Sequence, residues 1–200
     1  MTTLLFLLSF FTLFVLSGIL AVKGIRRKPV KSTVKIMGFV AGGYLVLWTA
    51  FYFISDFTPI ALGTDVCFDD WCATVTQIEK GALLKAKLPS PVTDSAWVIL
   101  HVKMSNHARG IAQKPSEPRI HLTDGKGAYW PYSAKGQRAL DVTAGKQAGI
   151  DSRLELHQSL ETQLVFEVPS NAKDLKVLIE EGPFITKLLF PEDQQVFRVP

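Results

Sequence analysis

The sequence predicts a two-helix transmembrane hairpin followed by an all-β sandwich, and three observations carry that reading. Two long runs near the N-terminus hold no charged side chain. Beyond Pro59 the chain changes to short segments in which apolar and polar residues alternate with a period of two. Those segments are separated by Pro, Gly, Asp and Asn, the residues that turn a chain.

The first run, from Thr2 to Val22, reads TTLLFLLSFFTLFVLSGILAV. It is as long as the roughly 20 apolar residues a helix needs to cross the hydrocarbon core. A cleaved signal peptide would place its basic stretch before the apolar core and a small-x-small site after it. Here the positive charges follow the run, and no cysteine follows it that could carry a lipid. The second run, Ile36 to Ser55, reads IMGFVAGGYLVLWTAFYFIS and is again uncharged. Tyr44, Trp48, Tyr52 and Phe57 lie toward its C-terminal side, where amphipathic rings suit a membrane interface. A short connection over residues 23–35 makes the two spans neighbours. Gly38 and Gly42 form a small-xxx-small pair that would let them approach closely in lipid.

Charge gives the hairpin a direction. The formal net charge of +4 suggests a basic protein, but the average hides a division. The first acidic residue is Asp56, and the connection alone carries Lys23, Arg26, Arg27, Lys28, Lys31 and Lys35. Removing those six from the 22 Lys and Arg leaves 16 against 18 Asp and Glu, so the rest of the chain is slightly acidic. Nucleic acid is excluded as a partner, because phosphate binding needs its cations on the binding domain. Positively charged loops remain cytoplasmic. Residues 1–58 are therefore expected to form a multi-pass anchor in a bacterial inner membrane, its basic loop inside and beside anionic lipid. Residues 65–200 are expected outside the cytoplasm.

The segments after Pro59 read as strands in turn. AWVILHVKMSN places Val98, Leu100, Val102 and Met104 on one face and Trp97, Ile99, His101 and Lys103 on the other, a half-buried strand. EPRIHLTDGKGAYWPY aligns Ile120 with Leu122 and then meets Asp124-Gly125, a hairpin signal because both residues tolerate positive φ. QLVFEVP, LKVLIEE, ITKLLF and QVFRVP follow, each bounded by turn residues. Residues 87–95 and 109–118 read as exposed loops. SRLELHQSL, around Ser152 to Leu160, is the one stretch where a helical turn competes with a strand. Seven or eight short strands without a convincing amphipathic helix make an antiparallel sandwich with Greek-key connections of the immunoglobulin type the economical architecture.

The order of FDDWCATVTQIEK, WVILHVKMSN with its terminal Asn, RIHLTDGKGAYWPY, a polar stretch with TAGKQ, and LVFEVPSNAKDLKVLI resembles the telokin-like, immunoglobulin-fold domains of unknown function found on the outer side of bacterial membranes. The resemblance covers Asp65 to Pro200. It implies a fold and a compartment, and no catalytic residue. Many such domains are lipoproteins, whereas this chain has two apolar runs.

Candidate sites are few. Cys67 and Cys72, in CFDDWC, are the only cysteines. Outside the cytoplasm they are expected to pair. In a continuous strand they would stand about 16 Å apart on opposite faces, so a disulfide requires a turn within Phe-Asp-Asp-Trp. A metal site using these cysteines with Asp69 and Asp70, or a redox pair, is the alternative, although metal sites favour closer cysteines and nearby histidines. His101 and His121 share the outward parity of two strands and would meet if the strands were neighbours; scattered exposed histidines are the plainer reading. Tyr129, Trp130, Pro131 and Tyr132 read either as strand-end packing or as a partner contact. No nucleophile elbow, catalytic triad order or phosphate-binding glycine loop is present in the sequence. The expectation is a non-enzymatic interaction module without a cofactor, its partners the bilayer and another envelope protein. A metal-handling or thiol-active envelope protein, and an accessory subunit of a larger membrane complex, are the other readings.

Overall fold

The computed structural model describes residues 2–27, 29–54, 57–68, 70–80, 94–124, 127–182 and 194–199. ITKLLF, Lys28, Asp69 and Gly125 lie outside them. The chain divides into a unit that holds two helices and a unit comprising Phe57–Gly182 and Gln195–Pro200.

In the first unit, α1 spans Thr2–Ile25 and α2 spans Lys31–Ile54. Leu7–Ile25 and Lys31–Ala50, with mean hydropathies of 2.0 and 1.4, are long and apolar enough to cross a membrane. α1 stops where Arg27 takes a left-handed φ of 51° two residues before Pro29, since proline disfavours helix at the position before it. α2 begins at Lys31, so Lys31 and Lys35 sit on its first turns rather than in a loop. Within these apolar helices the hydroxyls of Thr12, Ser17 and Thr49 bond carbonyls one turn back, Leu8, Leu13 and Leu45, at 2.7–2.8 Å. Polar atoms satisfied in this way remain compatible with a hydrocarbon environment.

The partly buried positions of α2, Thr33, Met37, Val40, Ala41, Tyr44 and Trp48, recur at helical spacing. Those of α1, Leu13, Leu16, Leu20 and Lys23 among them, do likewise. Lys23 Nζ donates to the buried Thr33 Oγ1 at 2.8 Å, and Ser17 Oγ approaches Met37 Sδ at 3.8 Å. Gly38 and Gly42 do not carry this contact: a Cβ built at either meets nothing within 4 Å. The reason is angular, because positions 38 and 42 fall one residue, about 100°, off the stripe through Thr33, Met37 and Ala41.

In the second unit nine strands are described, forming two sheets. β1 (Phe57–Ile60), β5 (Arg119–Thr123), β6 (Tyr129–Pro131), β8 (Lys176–Glu180) and β9 (Gln194–Arg198) make a five-stranded sheet in the order β1-β9-β8-β5-β6. β2 (Val66–Phe68), β3 (Trp71–Lys80), β4 (Ser95–Asn106) and β7 (Ser159–Pro169) make the other, in that order. The sheet thus starts at Phe57, before the expected boundary at Asp65. The β5–β6 hairpin turns at Asp124, as its sequence predicts: Asp124 Oδ1 accepts from the Ala128 amide at 2.8 Å. SRLELHQSL contributes no helix; its Leu154 is buried and bridges Gln113.

Alternation places Val98, Leu100, Val102 and Met104 in the main core between the sheets, against Leu122, Phe166, Val177 and Phe197. The opposite face of β4 departs from the half-buried expectation. Trp97 and Ile99 are buried too, in a second cluster with Val165 and Leu140. Leu140 belongs to α3 (Ala134–Ala144), a helix that the period-two reading passes over. Its apolar stripe is only Gly136, Ala139 and Leu140, too small for an amphipathic signal, yet its ends are marked. Ser133 caps the N-terminus by accepting from the Gly136 amide, and Gly145 ends it with φ 87°.

α3 also closes an edge. β7 is the outer strand of its sheet, and unpaired strand edges invite further pairing. Here Ser133 N donates to Val165 O at 2.6 Å, and the Gln137 side chain both donates to Gln163 O and accepts from Val165 N, at 2.9 and 3.1 Å. Gln147 Oε1 accepts from Gln163 N at 3.2 Å. Two glutamine amides therefore take the place of a neighbouring strand. Close approach is required: a Cβ at Gly136 would lie 2.5 Å from Val165 Cγ1 and 2.9 Å from Trp97.

Gly136→Ala should accordingly destabilise the sandwich. Alanine gains up to about 1 kcal/mol in helix propensity, but forcing a methyl against the stiff, β-branched Val165 costs about 1–3 kcal/mol. Urea unfolding should show a net loss, and a stabilised variant would refute the close packing.

Candidate functional site

The side chains that organise loops converge at the end of the sandwich where β4 finishes. Two strands there are joined by the CFDDWC hairpin. Cys67 is registered opposite Cys72 and Phe68 opposite Trp71, so the chain reverses between Phe68 and Trp71. This turn brings the cysteine Cα atoms to 4.0 Å, and a disulfide joins them. Paired sulfurs leave no thiolate to ligate a metal. Phe68 and Trp71 stack across the hairpin at 5.0 Å.

Asp70 and Trp71 tie the turn to neighbouring segments. Asp70 O accepts from the His107 amide at 2.7 Å, and Asp70 Oδ2 from Gln113 Nε2 at 3.1 Å. Trp71 is buried, and its Nε1 donates to Glu181 Oε1 at 2.7 Å; the same oxygen accepts from the Ser116 amide at 2.9 Å. Glu181 follows β8, so this carboxylate links the two sheets and the 107–118 loop. Hydrogen bonds to an ionised acceptor are about twice as strong as neutral ones.

Asn106, the strand-terminal asparagine, is 2% exposed and holds the rest. Its Nδ2 donates to Ile111 O, Leu154 O and Glu155 O at 3.0–3.2 Å, and its Oδ1 accepts from the Ala108 amide at 2.8 Å. One side-chain amide thereby fixes two loops, 107–118 and 150–158. Their exposed side chains include His107, Arg109, Ile111, Arg153, Leu156 and His157. Exposed Ile111 and Leu156 beside cations, on backbone this constrained, offer a prearranged contact surface. Residues 109–118 read as a loop and Asn106 as a strand end, but nothing in the sequence marks the hub, because its partners are carbonyls of any residue.

The remaining candidates lie elsewhere. His101 and His121 belong to different sheets, β4 and β5, and do not meet across one sheet; nor are they scattered on an exposed surface. His101 is half-buried, with Nε2 2.6 Å from Glu79 Oε1 and Nδ1 3.5 Å from Gln163 Nε2. His121 is 3% exposed, with Tyr129 stacked on its ring at 4.0 Å and Nδ1 3.9 Å from Glu180 Oε2. Both side chains are held by partners on neighbouring strands, which parity alone does not reveal. The aromatic cluster divides: Trp130 packs on the main core, whereas Tyr129 on β6 and Tyr132 just beyond it, bridged to Phe166, are more than half exposed. Among the described residues no three His, Cys, Asp or Glu side chains come together as a metal would require.

No family model matches the chain, and no curated protein matches it in sequence. Solved structures that it resembles include a conserved hypothetical protein from Bacillus anthracis, at 15% identity over 60% of this chain and 87% of that one, with a TM-score of 0.44. A secreted protein from Mycobacterium tuberculosis aligns at 12% identity over 71% and 98%, with a TM-score of 0.46. An uncharacterized β-sandwich protein from Clostridium difficile aligns at 12% over 72% and 97%, with a TM-score of 0.39. At such identities and TM-scores these likenesses carry no argument about activity or partners.

Two outcomes test the loop platform. Asn106→Ala, which strips partners from buried backbone groups, should cost about 2–4 kcal/mol of unfolding free energy; Asn106→Asp should cost no less, since a carboxylate would then face three carbonyls. Retention of wild-type stability by either variant would show that the hub is dispensable. Cys67→Ser/Cys72→Ser should lower stability by only about 2 kcal/mol, because the loop it closes is small.

Proposed function

We propose that the chain is a membrane-tethered, extracytoplasmic binding module of a bacterial envelope, without enzymatic activity. The helices would form a two-pass inner-membrane anchor, and the loops at the Asn106 end would meet another envelope protein. The observation that carries this reading is the conjunction of two apolar helices joined by a basic connection with a disulfide in the domain that follows. Positive connections remain cytoplasmic, and disulfides persist in oxidising compartments; the two rules support the same side for the sandwich. Kinship with the telokin-like immunoglobulin-fold domains belongs to this proposal, supported by the Asp124 hairpin and the strand ending at Pro169. A rigid sandwich with loops held by buried hydrogen bonds is the kind of scaffold on which recognition loops work.

The open glycine face of α2 favours a second reading, an accessory subunit held in a larger complex through its helices. The two differ in what is retained when the chain is cut after Asp56: the helices alone would still co-purify with partners only in the second.

A tag placed after Pro200 should react with a membrane-impermeant reagent in intact spheroplasts, and alkylation without reductant should leave Cys67 and Cys72 unmodified. Labelling only after lysis, or two reactive thiols in freshly extracted protein, would overturn the proposed sidedness.

A further inference from the structure

We propose that α3 and the tyrosine that leads into it form a second interaction surface, one that takes an acidic polypeptide segment of a partner. It lies over the outward face of the four-stranded sheet rather than at the Asn106 end, and it depends on neither the anchor nor its sidedness. α3 turns Gly136, Ala139 and Leu140 toward the sheet, so the opposite side of the helix meets solvent. Lys135, Arg138 and Val142 occupy that side at i, i+3 and i+7, and all three are exposed. Val142, 86% exposed, is the most open large apolar side chain among the described residues of the sandwich unit. Tyr132, 52% exposed, immediately precedes the Ser133 cap and so lies beside the first turn, which carries Lys135.

The stability of the helix explains neither the charges nor the valine. A helix dipole favours acids in the first turn and cations in the last; α3 has no acid in its first turn and no cation in its last. The only acid between Gly127 and Ile150 is Asp141, and its Oδ1 accepts from the Gln147 amide at 3.1 Å. Among the described residues neither Lys135 nor Arg138 is in an ion pair. An unneutralised positive strip therefore stands on a domain whose remaining charge is acidic. Its complement is carboxylate, which an arginine grips with two parallel hydrogen bonds. Tyrosine and arginine are the residues protein interfaces favour, and Val142 offers a contact for an apolar side chain. Two cations are too few for a nucleic acid, and one valine is too little for a helix lying in a bilayer. The backbone beneath is fixed, because Ser133 N donates to Val165 O at 2.6 Å and Tyr132 bridges Phe166, so binding orders little.

The test uses the full chain in detergent micelles and two fluorescein-labelled peptides, one of alternating glutamate and leucine pairs and one with glutamine in place of each glutamate, read by fluorescence anisotropy. Two exposed ion pairs give an expected preference of about ten-fold for the acidic peptide, fading at about 0.5 M salt. Residues 23–35 also carry cations, so variants assign the site. Lys135→Gln/Arg138→Gln should remove most of the preference, whereas Lys135→Arg/Arg138→Lys, which keeps both charges, should retain it. Tyr132→Ala and Val142→Ser should each weaken binding of the acidic peptide about three-fold. All these variants should melt at the wild-type temperature, since the side chains are exposed. Phosphatidylglycerol added to the micelles should not displace the peptide. Equal binding of the two peptides by the wild-type chain, an undiminished preference in the double glutamine variant, or displacement by phosphatidylglycerol that requires Lys135 and Arg138 overturns the proposal.

Discussion

Strand β4 is buried on both faces from Trp97 to Leu100, and much of the sandwich follows from that constraint. One face fills the space between the sheets with Val98, Leu100, Val102 and Met104; the other presents Trp97 and Ile99. A strand with two apolar faces needs two covers, because each fully buried large apolar side chain contributes about 1.5–3 kcal/mol relative to exposure. The five-stranded sheet covers the first face. α3 covers the second, and the closeness of that cover forces glycine at position 136. The same helix carries Gln137, and Gln147 follows it, so the element that completes the minor core also satisfies the edge of β7.

At the far end of β4 the same logic works through polar atoms. A loop that crosses a core must satisfy its backbone groups, and Asn106 does so for two loops from one buried position. Glu181 does the equivalent between sheets, accepting from Trp71 and from the Ser116 amide. The CFDDWC hairpin is thus fastened by a covalent bond within itself and by hydrogen bonds to two other segments, the 107–118 loop and Glu181. A surface built on such fixed backbone would lose little conformational entropy on binding, as the proposed interaction module requires.

Much of the architecture was legible in one dimension. Runs without charge identify both helices. Period-two segments identify the central strands, and Asp124 marks the hairpin. The requirement that the chain turn inside Phe-Asp-Asp-Trp follows from strand geometry, and the disulfide joins Cys67 to Cys72 across that turn. α3 was not legible from apolar pattern because one leucine and a glycine do the packing; its Ser133 and Gly145 caps were the available signal. The Gly38 and Gly42 pair shows the converse error, in which a pattern common in membrane helices was read as a contact although the packed stripe of α2 runs beside it.

What the sequence determines by itself is whatever depends on neighbours along the chain: hydropathy of a run, the sign of charge in a connection, alternation, and the reach between two cysteines five residues apart. Which sheet His101 and His121 join, which partners flank them, which loops one asparagine holds, and where Tyr129 and Tyr132 remain open were decided only by the tertiary structure. Those outcomes are set by strand order and layer packing, which bring together residues distant in sequence, and parity along a single strand contains no information about what lies across it.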